Sequence, residues 1–252
     1  IFILFFFIII LLTNLSKNFY YYLCYWVVSS VDNIYGSRTI FIELVNECHK
    51  RGIAVILDVV YNHATGQNPY FRLWNTENNS YVGSPTTQNP FFQESPVSES
   101  YLNYFNDMNH ESDYVRDYVR RVNNFLINEY HLDGFRFDLT KGFTNQNIAE
   151  NYSSERVNYL KKIADDVWDN DEDTYVIFEH FQNEEEKVFS EYGIMSWGEE
   201  NYHYNEATMG YPSDFNGVSY KSRGFSEPTL VGFMESHDTV SYTHLTLPTN
   251  RE

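Results

Sequence analysis

Four short segments of this chain place ionisable residues where apolar runs end. The first holds Asp58, Asn62 and His63, and the second Arg136 and Asp138. The third holds Glu179 and His180, and the fourth Glu235, His237 and Asp238. Arg136 and Asp138 are two apart, so on a strand they share one side. A guanidinium beside a carboxylate lowers its pKa and keeps it ionised, the state a nucleophile requires. Glu179 follows Val176, Ile177 and Phe178. Partial burial among them would raise its pKa, which suits a general acid near neutral pH. One carboxylate pushed down and one pushed up form the working pair of a retaining glycosidase. Taken singly, each signal is weak. A strand-end Asp–Arg pair is by itself more often a structural ion pair. A lone His63 or His237 is more often hydrogen-bonded framework than catalyst. The informative observation is the set of four, in order, each on a strand end.

Those groups can meet only if the strands that carry them lie side by side. Residues 53–60, 134–139, 175–179, 194–197 and 230–235 read as short apolar strands. Residues 53–60 are rich in β-branched side chains without alternation, the pattern of a strand covered on both faces in a parallel sheet. Helices are expected between them. Residues 40–50 place Phe41, Leu44, Val45 and Cys48 on one face, with Gly52 as a stop. A helix capped by Ser112 or Asp113 runs to Tyr130 with Val115, Val119, Val122 and Leu126 inward. Residues 154–169 turn Val157, Leu160, Ala164 and Val167 inward, and 184–191 form a shorter helix. Alternating helix and buried strand predicts an α/β fold. In a barrel of this kind the C-terminal strand ends converge on one pocket. Residues 64–110 break the rhythm with Asn, Ser, Pro and aromatics, too long a stretch for an ordinary connection and placed where such folds build their sites.

Composition narrows the partners. The 252 residues carry 35 acidic and 17 basic side chains, a formal charge of −18. Such a surface repels phosphate backbones, so no nucleic acid is expected. A neutral substrate or a cation fits better. Aromatics make up 18% of the chain and serve both core packing and stacking on sugar rings. The two cysteines, Cys24 and Cys48, cannot build a disulfide framework, and no CxxC pattern is present. No Gly-rich phosphate loop or HExxH motif occurs. The apolar run at residues 1–12 is too short to span a bilayer. Residues 1–32 read as a mistranslated, out-of-frame segment, with a genuine membrane anchor as the alternative, and 240–252 as a translated sequencing-library adapter. Residues 33–239 are left as the catalytic unit.

In their order and spacing the four segments resemble the four short conserved regions of the α-amylase family, glycoside hydrolase family thirteen. The resemblance covers nearly all of 33–239, and Asp107 to Ser112 looks like the family's additional region. The run from Asn46 to Asp238 is similar to bacterial α-amylases related to branching enzymes. The resemblance implies a partial (β/α)8 TIM barrel, roughly strands three to seven, with 64–110 as a short domain-B-like excursion. Strands one, two and eight, a C-terminal β-domain and the second-strand Tyr have no match. The chain expressed alone is therefore expected to be insoluble or inactive.

By the same resemblance Asp138 is the nucleophile, Glu179 the general acid/base, and Asp238 the third acid, on the 2- and 3-hydroxyls. Arg136 orients the nucleophile, His63 and His237 contact the sugar, and Asp58 is structural. Lys141 falls where the family contacts sugar on the leaving-group side, with a solvated lysine as the plain alternative. Asn62 falls where many members bind calcium; no organic cofactor is expected. Tyr61, Trp74 and Trp197 are candidate stacking platforms. The implied activity is retaining hydrolysis of α-1,4-glucans such as starch, glycogen and maltodextrins. Glycogen-branching transglycosylation by the same residues is the alternative. A non-catalytic carbohydrate-binding or transporter-associated relative is a further one, disfavoured by the intact acids. The expected partner is an α-glucan, without a membrane span, and a site outside the cytoplasm is favoured over one within it. Oligomeric state is not legible.

Overall fold

A computed structural model describes residues 37–78, 80–96, 105–146 and 150–234. Glu235, His237, Asp238 and the segments 1–32 and 240–252 lie outside these residues. The main sheet has five parallel strands in the order β1 (Ile56–Val59), β5 (Gly134–Phe137), β6 (Tyr175–Phe178), β7 (Met195–Glu199) and β8 (Leu230–Phe233). Each of these strands pairs with the next one in sequence, as a closing barrel wall requires. Its helical layer comprises α1 (Arg38–His49), α3 (Asp113–Tyr130), α4 (Ser154–Trp168), α5 (Asn183–Tyr192) and α6 (Asn201–Thr208). This is the α/β arrangement the pattern predicts and the partial (β/α)8 barrel the resemblance implies.

Register sets what each face carries. Asp58 pairs with Arg136, Arg136 with Ile177, and Ile177 with Met195. These residues share the inner face. There Ile56, Ile177, Trp197 and Val231 form a small apolar cluster below the polar strand ends. The opposite face presents Val59, Phe135, Phe137, Val176 and Phe178 to the helices. Helix α3 buries Val115, Val119, Val122 and Leu126, and α4 buries Val157, Leu160, Ala164 and Val167. These are the side chains their periodicity selects. In α1, Val45 is buried, but Leu44 is 40% exposed, and Ile42 packs on the core instead.

The chain ends its elements by local means. The side chain of Gln182 accepts from the Glu185 N–H to cap α5, and Gly193, at φ +93°, closes it. A side chain at that φ would be strained. The excursion after β1 folds as its own antiparallel sheet, β2 (His63–Ala64), β4 (Asn106–Met108) and β3 (Phe92–Gln93), with a short helix α2 (Pro69–Leu73). His63 therefore opens this second sheet, opposite Asp107, and does not extend β1. No helix among the described residues is long and apolar enough to cross a membrane.

Candidate active site

The C-terminal ends of β1, β5 and β6 meet on one guanidinium. Arg136 Nη1 donates to Asp58 Oδ1 at 2.8 Å and to Asp138 Oδ1 at 2.7 Å. Its Nη2 reaches Glu179 Oε1 at 2.7 Å. The Arg136 side chain is 3% exposed, against 18% for each aspartate and 12% for Glu179. Burial works against its charge, but Asp58, Glu179 and Asp138 outweigh that and raise its pKa. Its guanidinium carbon Cζ also lies 5.5 Å from the centre of the Trp197 ring, a cation–π distance. The cluster holds three carboxylates for one cation. Fixed negative charge of this kind stabilises positive charge that develops beside it.

A short turn joins the two central acids. Leu139, directly after Asp138, takes φ +48°, a left-handed conformation a leucine adopts only when its surroundings hold it there. Its N–H donates to Glu179 Oε2 at 3.0 Å. Glu179 thus follows an apolar strand, as expected, yet its carboxylate faces a guanidinium and an N–H. His63 is buried near the cluster. Burial lowers its pKa, and the charge of Asp138 opposes that. Its Nδ1 lies 3.1 Å from Asn62 Nδ2.

Other expected site residues are placed differently. Tyr61 is 1% exposed, and its hydroxyl donates to Asn123 Oδ1 of α3 at 2.8 Å. Its ring packs against Tyr118 and Phe137 on the helix side, so it is a core residue and cannot stack on a ligand. Trp197 is also buried, stacked on Phe233 at 4.6 Å. It forms the floor under Arg136, not a platform. Trp74 is 36% exposed, within the excursion. Lys141 is neither solvated nor open: it is buried, with Nζ 3.0 Å from Glu150 Oε1. Glu199, two residues after Trp197, lies on the same face of its strand.

Asn62 is 1% exposed, and its Oδ1 has no hydrogen-bond partner. A Cβ on Gly142 would fall 2.0 Å from that oxygen, so the turn after Asp138 packs directly on it. An unpaired buried amide oxygen is a hard donor of the kind calcium takes. Among the described residues no group of three His, Cys, Asp or Glu is arranged to hold a metal. Other ligands would have to be amide or backbone oxygens, or single carboxylates. Asp107, across the ladder from His63, has its carboxyl pushed up to about 7 by burial, with Gln93 opposing.

Fold and cluster together define an α/β-barrel protein that gathers carboxylates at the C-terminal ends of its strands. A family model described as the α-amylase catalytic domain matches residues 14–238, and the chain belongs to that family. Malto-oligosyltrehalose trehalohydrolase of Saccharolobus solfataricus is 38% identical over 110 residues, 43% of this chain and 17% of that protein. α-Amylase 3 of Dictyoglomus thermophilum is 29% identical over 166 residues, 59% of this chain and 32% of that one. Among solved structures, an Anoxybacillus α-amylase superposes with a TM-score of 0.57 at 21% identity, covering 86% of this chain and 47% of that one. The chain thus spans less than half the length of each of these three proteins.

Proposed function

We propose that the protein is a retaining glycoside hydrolase of α-1,4-glucans, working through a covalent glucosyl ester on Asp138. The observation that carries this is the shared guanidinium. Asp138 and Glu179 occupy adjacent nitrogens of Arg136, each at 2.7 Å. Carboxylates that grip one guanidinium are close neighbours. That suits the roughly 5 Å separation of a retaining pair, not the wider gap that admits a water. Asp138 attacks the anomeric carbon while Glu179 protonates the departing oxygen. Water activated by Glu179 then cleaves the ester. Arg136 keeps Asp138 aligned, and the excess of carboxylates favours the oxocarbenium-like transition state. Asp238 is assigned as the third acid by its sequence position.

The test follows linear maltooligosaccharide hydrolysis by the full-length protein, with the released anomer read by proton NMR. The α-anomer appears first if configuration is retained. Asp138→Asn lowers kcat by on the order of 10³-fold or more. First release of the β-anomer, or an undiminished Asp138→Asn variant, overturns the reading. Isomaltose in parallel tests the bond preference. We also propose calcium as the bound cation, with Asn62 Oδ1 as one ligand and no organic cofactor. Calcium then raises Tm and EDTA lowers it. A Tm indifferent to both removes the metal.

A further inference from the structure

Behind the carboxylate cluster lies a second set of charged groups with no place in the chemistry above. Glu185 of α5, Arg156 of α4 and His180 after β6 are all buried, and the Glu185 and His180 side chains are 0% exposed. Arg156 Nε donates to Glu185 Oε2 at 2.9 Å, and Nη2 to Oε1 at 2.6 Å. His180 Nε2 lies 2.8 Å from Glu185 Oε2. The Ser153 N–H donates to Oε1 at 2.7 Å. Two lines run forward from this knot. His180 Nδ1 is 3.0 Å from the hydroxyl of Thr140, and that hydroxyl donates to the Glu179 carbonyl at 2.9 Å. The Thr140 N–H reaches the same carbonyl at 2.9 Å. Arg156 Nη1 donates to the Lys141 carbonyl at 2.9 Å. Both lines end on the turn whose Leu139 N–H touches the Glu179 carboxylate.

A buried pair of this quality is more than stability needs. Isolated charges placed in the interior are expensive, and hydrophobic replacements of similar volume often do as well or better. What the pair adds is direction: it fixes a turn that a leucine at positive φ would otherwise leave. Orientation within a fraction of an ångström governs proton transfer.

We infer that Glu185, His180 and Thr140 are positioning residues for Glu179, a buried relay that fixes both the backbone of the acid/base residue and the N–H that aims its carboxyl. The inference rests on the reading of Glu179 as the acid/base. It predicts a failure specific to protonation of the leaving group. Loss of the relay slows bond cleavage when the departing oxygen needs a proton, and spares a leaving group such as fluoride that departs with little help.

The experiment compares kcat/KM for maltopentaose and for α-maltotriosyl fluoride in the full-length protein, since that ratio reports the first chemical step for both. The variants are Thr140→Val, which removes the hydroxyl and keeps the N–H, and His180→Gln. Thr140→Ser serves as the conservative rescue. The expected result is a loss of about tenfold on maltopentaose with less than about twofold on the fluoride, and recovery in Thr140→Ser. Equal losses on both substrates, as a merely structural role would give, overturn the inference. So does no loss on either. If His180→Gln does not fold, Thr140→Val decides. Wild-type protein inactive on both substrates would instead remove the functional reading itself, and with it the relay's role.

Discussion

Arg136→Met tests whether one guanidinium holds the site together. In the wild type, three carboxylates contact it at 2.7 to 2.8 Å. Unit charges about 4 Å apart attract by about 4 kcal/mol at an effective dielectric of 20. Mutual repulsion of the carboxylates and the lost hydration of Arg136 return much of that sum. Stranding the partners of a buried cation costs roughly 3–5 kcal/mol, from a total of roughly 5–15 kcal/mol for a domain. Methionine keeps the length against Trp197 and removes the charge. The assay is urea unfolding of both proteins at pH 7 and pH 4.5. In the variant, stranded and crowded carboxylates bind protons more readily folded than unfolded. Its stability therefore recovers as pH falls, while the wild type shows no such gain. A loss below about 1 kcal/mol, or a deficit equal at the two pH values, refutes the reasoning.

Three further outcomes are expected. Tyr61→Phe loses one buried hydrogen bond, about 1 kcal/mol, with KM for maltooligosaccharides unchanged; a KM raised several-fold would restore Tyr61 to the binding site. Gly142→Ala drives a methyl into Asn62 Oδ1 at 2.0 Å and displaces His63 through Asn62. Melting and steady-state kinetics should show a loss of about 1–3 kcal/mol together with reduced kcat. Burial tends to raise the Glu185 carboxyl, but His180 and Arg156 outweigh it and hold the group at about 2 against an ordinary 4.5. That carboxyl contributes stability present above pH 4.5 and lost as pH falls toward 2. Glu185→Gln, less stable at neutral pH, should flatten this acid limb in a denaturation series, and an unchanged slope would count against it.

Much of the frame is legible in the residues, because period is a local property. Val115, Val119, Val122 and Leu126 recur at helical spacing, and the structure buries all four. Arg136 and Asp138 share a strand side by parity, and they meet. Tyr61 shows what a motif conceals. It stands one residue from Asn62 and two from His63, yet it is also two from Val59, and it faces the helices with Val59. Parity points to the core where its aromatic ring, beside the motif, suggests a sugar-stacking platform. Leu44 has the right spacing but lies on the flank of α1, where Ile42 makes the contact. The Arg156–Glu185–His180 knot left no trace. Glu184, Glu185 and Glu186 read as a solvated acidic first turn that suits the helix dipole. Only the packing of α4 against α5 shows that two of the three are buried.

The guanidinium of Arg136 has a consequence beyond binding carboxylates. Its partners come from segments 78 and 43 residues away, in Asp58 and Glu179. Slipping β6 by a single position would turn Glu179 outward and bring Phe178 against the charge. Arg136 would then stay buried with one carboxylate partner fewer, which is costly. The residue proposed to align Asp138 therefore also penalises misassembly, and the carboxylate cluster doubles as proof of correct strand pairing. Under the proposed function, selection for turnover and selection against misfolding would act on one side chain.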